Sequence, residues 1–165
     1  MTTALETKPK SVKVDAGVSD PKAVVDGLSG ILADTYRLLI KTHVVHWNVE
    51  GPLFFAIHTL TEEQYTALFQ ASDVIAERIR ALGHLTPTST KTLLADSTVK
   101  DAGKDLSAGH MVRALAEDHT AIAKRLHNLI KAAEEADDPV TADLATQRST
   151  FHEKAAWMLR AITKE

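Results

Sequence analysis

The 165-residue chain contains no cysteine, which excludes disulfide bonds, thiolate metal sites and cysteine nucleophiles. Glycines and prolines are few, with seven and five copies, and strand-like runs are scarce. This composition favours an all-helical protein. No apolar run approaches the roughly 20 residues that a membrane-spanning helix needs.

A large excess of positive charge is also missing. The formal net charge is −3, which argues against a uniformly basic nucleic-acid-binding protein. The beginning of the chain has no apolar segment resembling a secretory signal. We therefore expect a cytoplasmic protein with no membrane partner. The length of the chain is sufficient for one domain with a hydrophobic core.

Helical periodicity begins after a polar, aperiodic segment at residues 1–19, which we predict to be a flexible tail. The first helix should start at Ser19-Asp20-Pro21, where a capping side chain precedes a proline. It should end before Gly51-Pro52. The second helix should run from about Phe54 to Leu82 and stop at Gly83.

A long connection, residues 84–104, should follow and contain one short helix at 91–95. The third helix carries its apolar stripe between Val112 and Ala133, and the fourth begins after Asp137-Asp138-Pro139. These helices predict an all-α four-helix bundle over residues 20–165, with its one crossover between the second and third helices.

The second helix has two contrasting faces, because an α-helix turns about 100° per residue. One face is the expected core stripe of Leu60, Leu68, Ala71, Ile75, Ile79 and Leu82. The other face carries four residues able to bind metal: His58, Glu62, Asp73 and Glu77. It also carries Phe55, Phe69 and Ala76, so it is not the uniformly polar surface that a solvated helix face would show.

The four candidate ligands form two pairs at i,i+4 spacing, and each pair can hold one ion. Glu62 and Asp73 are about 16 Å apart along the helix, so one ion cannot reach both pairs. Two antiparallel copies of this helix crossing near residues 67–68 would place the His58/Glu62 pair of each chain opposite the Asp73/Glu77 pair of the other. The two-fold axis would thus create two equivalent sites. The alternative is a simple solvated face.

The type of ligand narrows the choice of metal. Imidazole with carboxylates and no sulfur suits Fe(II), Zn(II) or Mn(II). The Glu-x-x-His signature of di-iron bundles is absent from the sequence, which argues against a di-iron centre inside one bundle.

The segment HWNVEGPLFFAIH, followed by Glu62 and SDVIAERIRALG, resembles the Dps family of ferritin-like miniferritins. Proteins of that family form dodecameric shells that oxidise Fe(II), preferably with hydrogen peroxide, and store the ferric mineral inside. Many also bind DNA without sequence specificity. The resemblance covers about Lys41 to Gly83 in detail and implies a ferroxidase that protects DNA from oxidative damage.

The resemblance also implies a site shared by two subunits that holds two iron ions. The ligand chemistry makes zinc a possible competitor. The metal ligands of the site would be His46, His58 and Glu62 of one subunit with Asp73 and Glu77 of the other. The family more often has aspartate at the position of Glu62, which changes the reach of the carboxylate but not its chemistry.

Two further residues lie beside these ligands. Trp47 is either an interface aromatic residue or, by resemblance, an accessory residue that intercepts radicals beside the iron site. His43 lies one helical turn before His46 and is expected to support the ligands rather than bind metal.

Acidic residues near the start of the fourth helix are candidates for an ion pore. Asp138, Asp143 and Glu153 either stabilise the helix dipole or, as the resemblance implies, line a three-fold pore that draws cations into a shell.

Lys8, Lys10 and Lys13 in the tail are candidates for sequence-independent DNA binding, strengthened by multiple copies. The main alternative function is therefore a DNA-packing nucleoid protein that uses the ferritin-like fold as a scaffold. A third is an interaction bundle without metal.

Overall fold

The computed structural model describes residues 4–104 and 107–163; the predicted tail and bundle each extend a few residues outside these ranges. A 3-10 turn at Ala4–Glu6 precedes α1 (Pro21–Asn48), α2 (Phe54–Ala81), α3 (Thr90–Leu93), α4 (Ala108–Glu135) and α5 (Pro139–Ile162). The predicted four-helix bundle is confirmed, with α3 as the short helix of the long connection. None of the helices described is long and apolar enough to cross a membrane.

Local chemistry sets the helix ends. Asp20 and Asp138 each accept a hydrogen bond from the backbone N–H three residues later, at 3.2 and 2.9 Å, and a proline follows each. Gly83 closes α2 with a φ of +85°, a left-handed conformation that favours glycine. A Cβ there would also lie 2.2 Å from the carbonyl oxygen of Val12.

The core lies between two antiparallel hairpins, α1–α2 and α4–α5, which pack mainly through α1 and α4. All six residues of the predicted α2 core stripe are buried, as expected for apolar side chains that helical spacing places on one face. Full burial of one aliphatic side chain contributes roughly 1.5–3 kcal/mol. The contact between α2 and α5 is less extensive, and two cavities lie along this seam.

A partly buried ion pair between Arg125 and Asp34 holds the long connection against the bundle. The fully buried Asp34 accepts hydrogen bonds from Arg125 Nη1 at 2.9 Å and from the backbone N–H of Thr98 at 2.6 Å. Arg125 can approach because Gly30 has no side chain: a Cβ there would lie 1.9 Å from its Nη2. The connection is therefore held on α1 and α4 by specific polar contacts.

Candidate metal site

Two of the predicted ligands meet where α1 ends and α2 begins. The rings of His46 and His58 stack with centroids 3.7 Å apart and planes inclined by 18°. Each Nδ1 lies 2.9 Å from the backbone carbonyl oxygen of the other residue. The α1–α2 turn therefore brings together two histidines that are twelve positions apart.

These reciprocal hydrogen bonds select one tautomer of both rings. A carbonyl oxygen can only accept, so each neutral ring must carry its proton on Nδ1. The Nε2 of each ring then has a free lone pair, the form in which imidazole binds metal. Ring orientation and tautomer are thus set by backbone atoms before any metal binds.

Thr61 also supports this arrangement and was not anticipated from the sequence. Its Oγ1 lies 3.2 Å from Nδ1 of His46 and donates to the carbonyl oxygen of Ile57 at 2.7 Å. Because the hydroxyl donates to a carbonyl, it can accept the proton of His46. The only sequence signal was its position one turn after His58.

The predicted carboxylate ligands lie on the outer face of α2. Glu62, Asp73 and Glu77 are all exposed, and none makes a hydrogen bond or ion pair with another residue in the described part of the chain. The same face exposes 77% of Phe55 and 65% of Phe69. This face therefore combines free carboxylates with apolar side chains that one subunit leaves in water.

One subunit does not assemble a complete metal site. Across residues 4–104 and 107–163, no three histidine or carboxylate side chains are close enough to hold one ion. The structure joins His46 to His58 and leaves Asp73 and Glu77 about four and five turns beyond His58 along α2. The site completed by a second subunit remains a prediction.

An aromatic cluster surrounds the histidine pair. Trp47 is 67% exposed and stacks on His43 with centroids 5.1 Å apart. The centroid of the His43 ring lies 4.2 Å from that of Tyr65, and the Tyr65 ring is perpendicular to the His46 ring with centroids 5.2 Å apart. Burial, and then the charge of His46, lowers the pKa of His43. His43 therefore packs beside the ligands, while both proposed roles of Trp47 remain open.

The three predicted pore residues have different surroundings. Asp143 is exposed, accepts from Gln147 at 2.7 Å, and lines an open α2–α5 groove together with Glu77. Glu153 is also exposed but lies 2.9 Å from His127 on α4. Of the two exposed carboxylates, Asp143 contacts a neutral amide, whereas Glu153 lies against a histidine.

Asp138 is only 1% exposed, and its side chain is fully engaged. It accepts from Arg78 Nη2 at 2.7 Å and from both the backbone N–H and the hydroxyl of Thr141. Burial raises its pKa, but the hydrogen bonds from Arg78 and Thr141 outweigh burial and hold the pKa below its usual value. Asp138 is thus an ionised helix cap joined to α2.

The tail lysines, Lys8, Lys10 and Lys13, are exposed along an irregular segment. The backbone N–H of Val12, between two of them, donates to the carbonyl oxygen of Gly83 at 2.9 Å. The segment therefore touches the end of α2 while its lysine side chains face solvent.

Comparisons with known proteins agree with this architecture. The ferritin-like domain family model matches residues 25–165. DNA protection during starvation protein 2 of Bacillus anthracis is 37% identical over 144 residues, covering 87% of this chain and 99% of that protein. The Dps crystal structure from Staphylococcus aureus superimposes with a TM-score of 0.83 at 37% identity, covering 86% of this chain and 95% of that chain.

A more distant structure gives the chemical context. Dps from Vibrio cholerae O1, described as a member of a broad superfamily of ferritin-like diiron-carboxylate proteins, is 25% identical with a TM-score of 0.84. It covers 94% of this chain and 99% of that chain. The chain therefore belongs to the Dps family of ferritin-like proteins.

Proposed function

We propose that this protein is a ferroxidase that binds Fe(II) as its substrate at sites shared by two subunits. Each site would contain His46, His58 and Glu62 of one subunit with Asp73 and Glu77 of the partner subunit. The observation that carries the proposal is the histidine pair, whose reciprocal hydrogen bonds leave both Nε2 atoms free to bind metal. The free carboxylates on the apolar outer face of α2 supply the rest.

This ligand set suits a change of iron oxidation state. Imidazole binds Fe(II) at neutral pH, and carboxylates stabilise the additional charge of Fe(III). Two Fe(II) ions would give one electron each to hydrogen peroxide, which takes up two protons and forms two water molecules. Because both electrons transfer at one site, hydroxyl radical is not released. Zinc fits the same ligands and should compete with iron.

Assembly would complete the site. Phe55 and Phe69 lie on the ligand-bearing face and are exposed in one subunit, so a two-fold contact through α2 would bury them. We propose a cytoplasmic homododecamer with ferric mineral inside and Asp143 lining its ion pores. A native mass of one or two chains, with no iron bound after aerobic loading, would instead favour a plain interaction bundle.

Two neighbouring glutamates provide a matched test of the ligand assignment. Glu62 and Glu63 are both exposed on α2, but only Glu62 is a proposed ligand. The His58→Ala/Glu62→Gln variant should lose the fast rise of ferric absorbance when anaerobic Fe(II) meets peroxide. The Glu63→Gln variant should retain it. Unchanged kinetics in the double variant would refute the site.

DNA binding is a second candidate function, favoured by the exposed tail lysines and by the name of the Bacillus anthracis relative. Twelve tails on one shell would add many weak phosphate contacts and would allow association with the nucleoid. A variant with Lys8, Lys10 and Lys13 changed to Gln should lose a gel shift that the native protein shows at low salt. If neither protein shifts DNA, packing of DNA is excluded as the function.

A further inference from the structure

Unsatisfied polar groups are concentrated around one aromatic ring in the bundle. Among the residues described, the buried side-chain polar atoms without a hydrogen-bond partner belong to Gln64, His119 and Arg148. The Arg148 guanidinium carbon lies 4.4 Å from the centre of the Phe151 ring, and the His119 ring centre lies 5.8 Å from it. Gln64 lines the same cavity as Phe151. Buried polar groups normally have hydrogen-bond partners, so unpartnered groups this close together indicate a place where a polar ligand could bind.

Arg148 is the most unusual member of this group. Burial lowers its pKa to about 10, so the guanidinium still carries its charge at neutral pH. No carboxylate in the described part of the chain pairs with it, whereas Arg78 and Arg125 are paired with Asp138 and Asp34. The side chain is partly exposed, but its buried Nη2 has no hydrogen-bond partner, so a negatively charged ligand would stabilise the cation.

The seam between α2 and α5 provides space for such a ligand. Its cavity has a volume of about 120 Å³ and apolar walls that include Leu60, Phe151 and Met158. A water molecule needs only about 10–15 Å³ of such space, so a small polyatomic ion fits. Two exposed residues of opposite charge, Glu63 and Lys154, also line it and offset each other.

The polar group inside the cavity is the amide of Gln64, which is 3% exposed with neither its nitrogen nor its oxygen partnered. An amide can turn its N–H side toward an acceptor. His119 and His152 add no charge, because burial holds the pKa of His119 at about 3 and that of His152 well below its ordinary value.

We propose that this α2–α5 cavity binds a small oxyanion of the size of inorganic phosphate. The Gln64 amide donates a hydrogen bond to it. Arg148 does not itself line the cavity but lies over the ring of the wall residue Phe151, and from there it supplies the counter-charge. A metal cation is disfavoured there by the positive charge of Arg148, and the cavity is too small for a peptide. The site is separate from the proposed iron ligands and does not depend on iron oxidation.

The test is calorimetric titration of the full-length, iron-free assembly with inorganic phosphate at pH 7 and constant ionic strength. The native protein should bind phosphate saturably and gain thermal stability from it. Arg148→Gln should weaken binding at least about tenfold, the effect of losing roughly 1.4 kcal/mol. The matched control is Arg160→Gln, which removes an exposed cation from the same helix and should leave the affinity unchanged.

A second variant keeps the proposal testable if Arg148→Gln does not fold. Gln64→Leu retains the cation but removes the donor, and it should also weaken binding. The proposal is wrong if the native protein shows no saturable phosphate binding, or if the Arg148 and Arg160 variants lose affinity equally. It is also wrong if Arg148→Gln disrupts assembly while phosphate affinity is retained, because Arg148 would then pair with a neighbouring subunit.

Discussion

The buried histidine pair between α4 and α5 should make the fold sensitive to acid. His119 and His152 are 0% and 1% exposed, and their Nδ1 atoms are 2.9 Å apart. Burial, and then the charge of Arg148, lowers the pKa of His119 from 6.5 to about 3. Burial, and then the charge of His119, places the pKa of His152 well below 6.5. Both rings are therefore neutral in the folded protein at mildly acidic pH.

The sign of the effect follows from proton binding by the two states. Below pH 6.5 the unfolded chain takes up protons that the folded chain does not, so acid favours unfolding. Each histidine costs about 1.4 kcal/mol of stability per pH unit until its folded pKa is reached. His119 alone should remove about 2 kcal/mol between pH 6.5 and pH 4.5, because the unfolded histidine is only half protonated at pH 6.5. His152 acts in the same direction, and above pH 6.5 the effect disappears.

The perturbation is the double variant His119→Leu/His152→Leu, which replaces both hydrogen-bonding partners by apolar side chains of similar size. Such paired replacement is close to neutral in stability at pH 7. Between pH 6.5 and pH 4.5, however, the variant should lose much less stability than the native protein. The exposed His127 offers a control, since His127→Leu should retain the native acid sensitivity.

The assay is urea denaturation followed by circular dichroism at a series of pH values and one protein concentration. A constant concentration is needed because subunit association contributes to measured stability. Other titrating groups, such as Asp118 with its pKa raised by burial, act equally in the native protein and the variant. The reasoning is refuted if the native protein and the double variant lose stability in parallel.

Three further changes test contacts in the fold and site. Gly30→Ala should cost about 1–3 kcal/mol of unfolding free energy because its Cβ would overlap Arg125, whereas Gly109→Ala meets only a flexible side-chain end at 3.3 Å and should be neutral or stabilising. Asp34→Asn should cost about 2–4 kcal/mol and accelerate hydrogen exchange at residues 96–99, since their anchor is lost. Thr61→Val should slow ferric formation by no more than about fivefold, because the carbonyl of His58 still orients His46; complete loss would show that the hydroxyl is essential.

Much of the fold could be predicted because local rules govern it. The period of the apolar residues placed the core stripe of α2 and left Glu62, Asp73 and Glu77 on its outer face, where the structure has them. Asp20 and Gly83 marked helix ends through hydrogen bonding and backbone sterics that involve only a few neighbouring residues.

Other features depend on which helices meet. His119 is fully buried on α4, and its hydrogen-bonding partner His152 is 33 positions away, so residue spacing gave no signal for the pair. The sequence offered a helix cap or a pore position for Asp138, and it gave no sign of the contact with Arg78, which is 60 positions away.

The candidate metal site combines both kinds of information. The sequence alone determined the type of ligand and the face of α2 that carries it, because helical geometry converts residue spacing into direction. Only the tertiary structure decided that His46 and His58 stack and exchange hydrogen bonds with each other's carbonyl groups. That arrangement depends on the angle of the α1–α2 turn and the packing of two helices, which residue spacing does not specify.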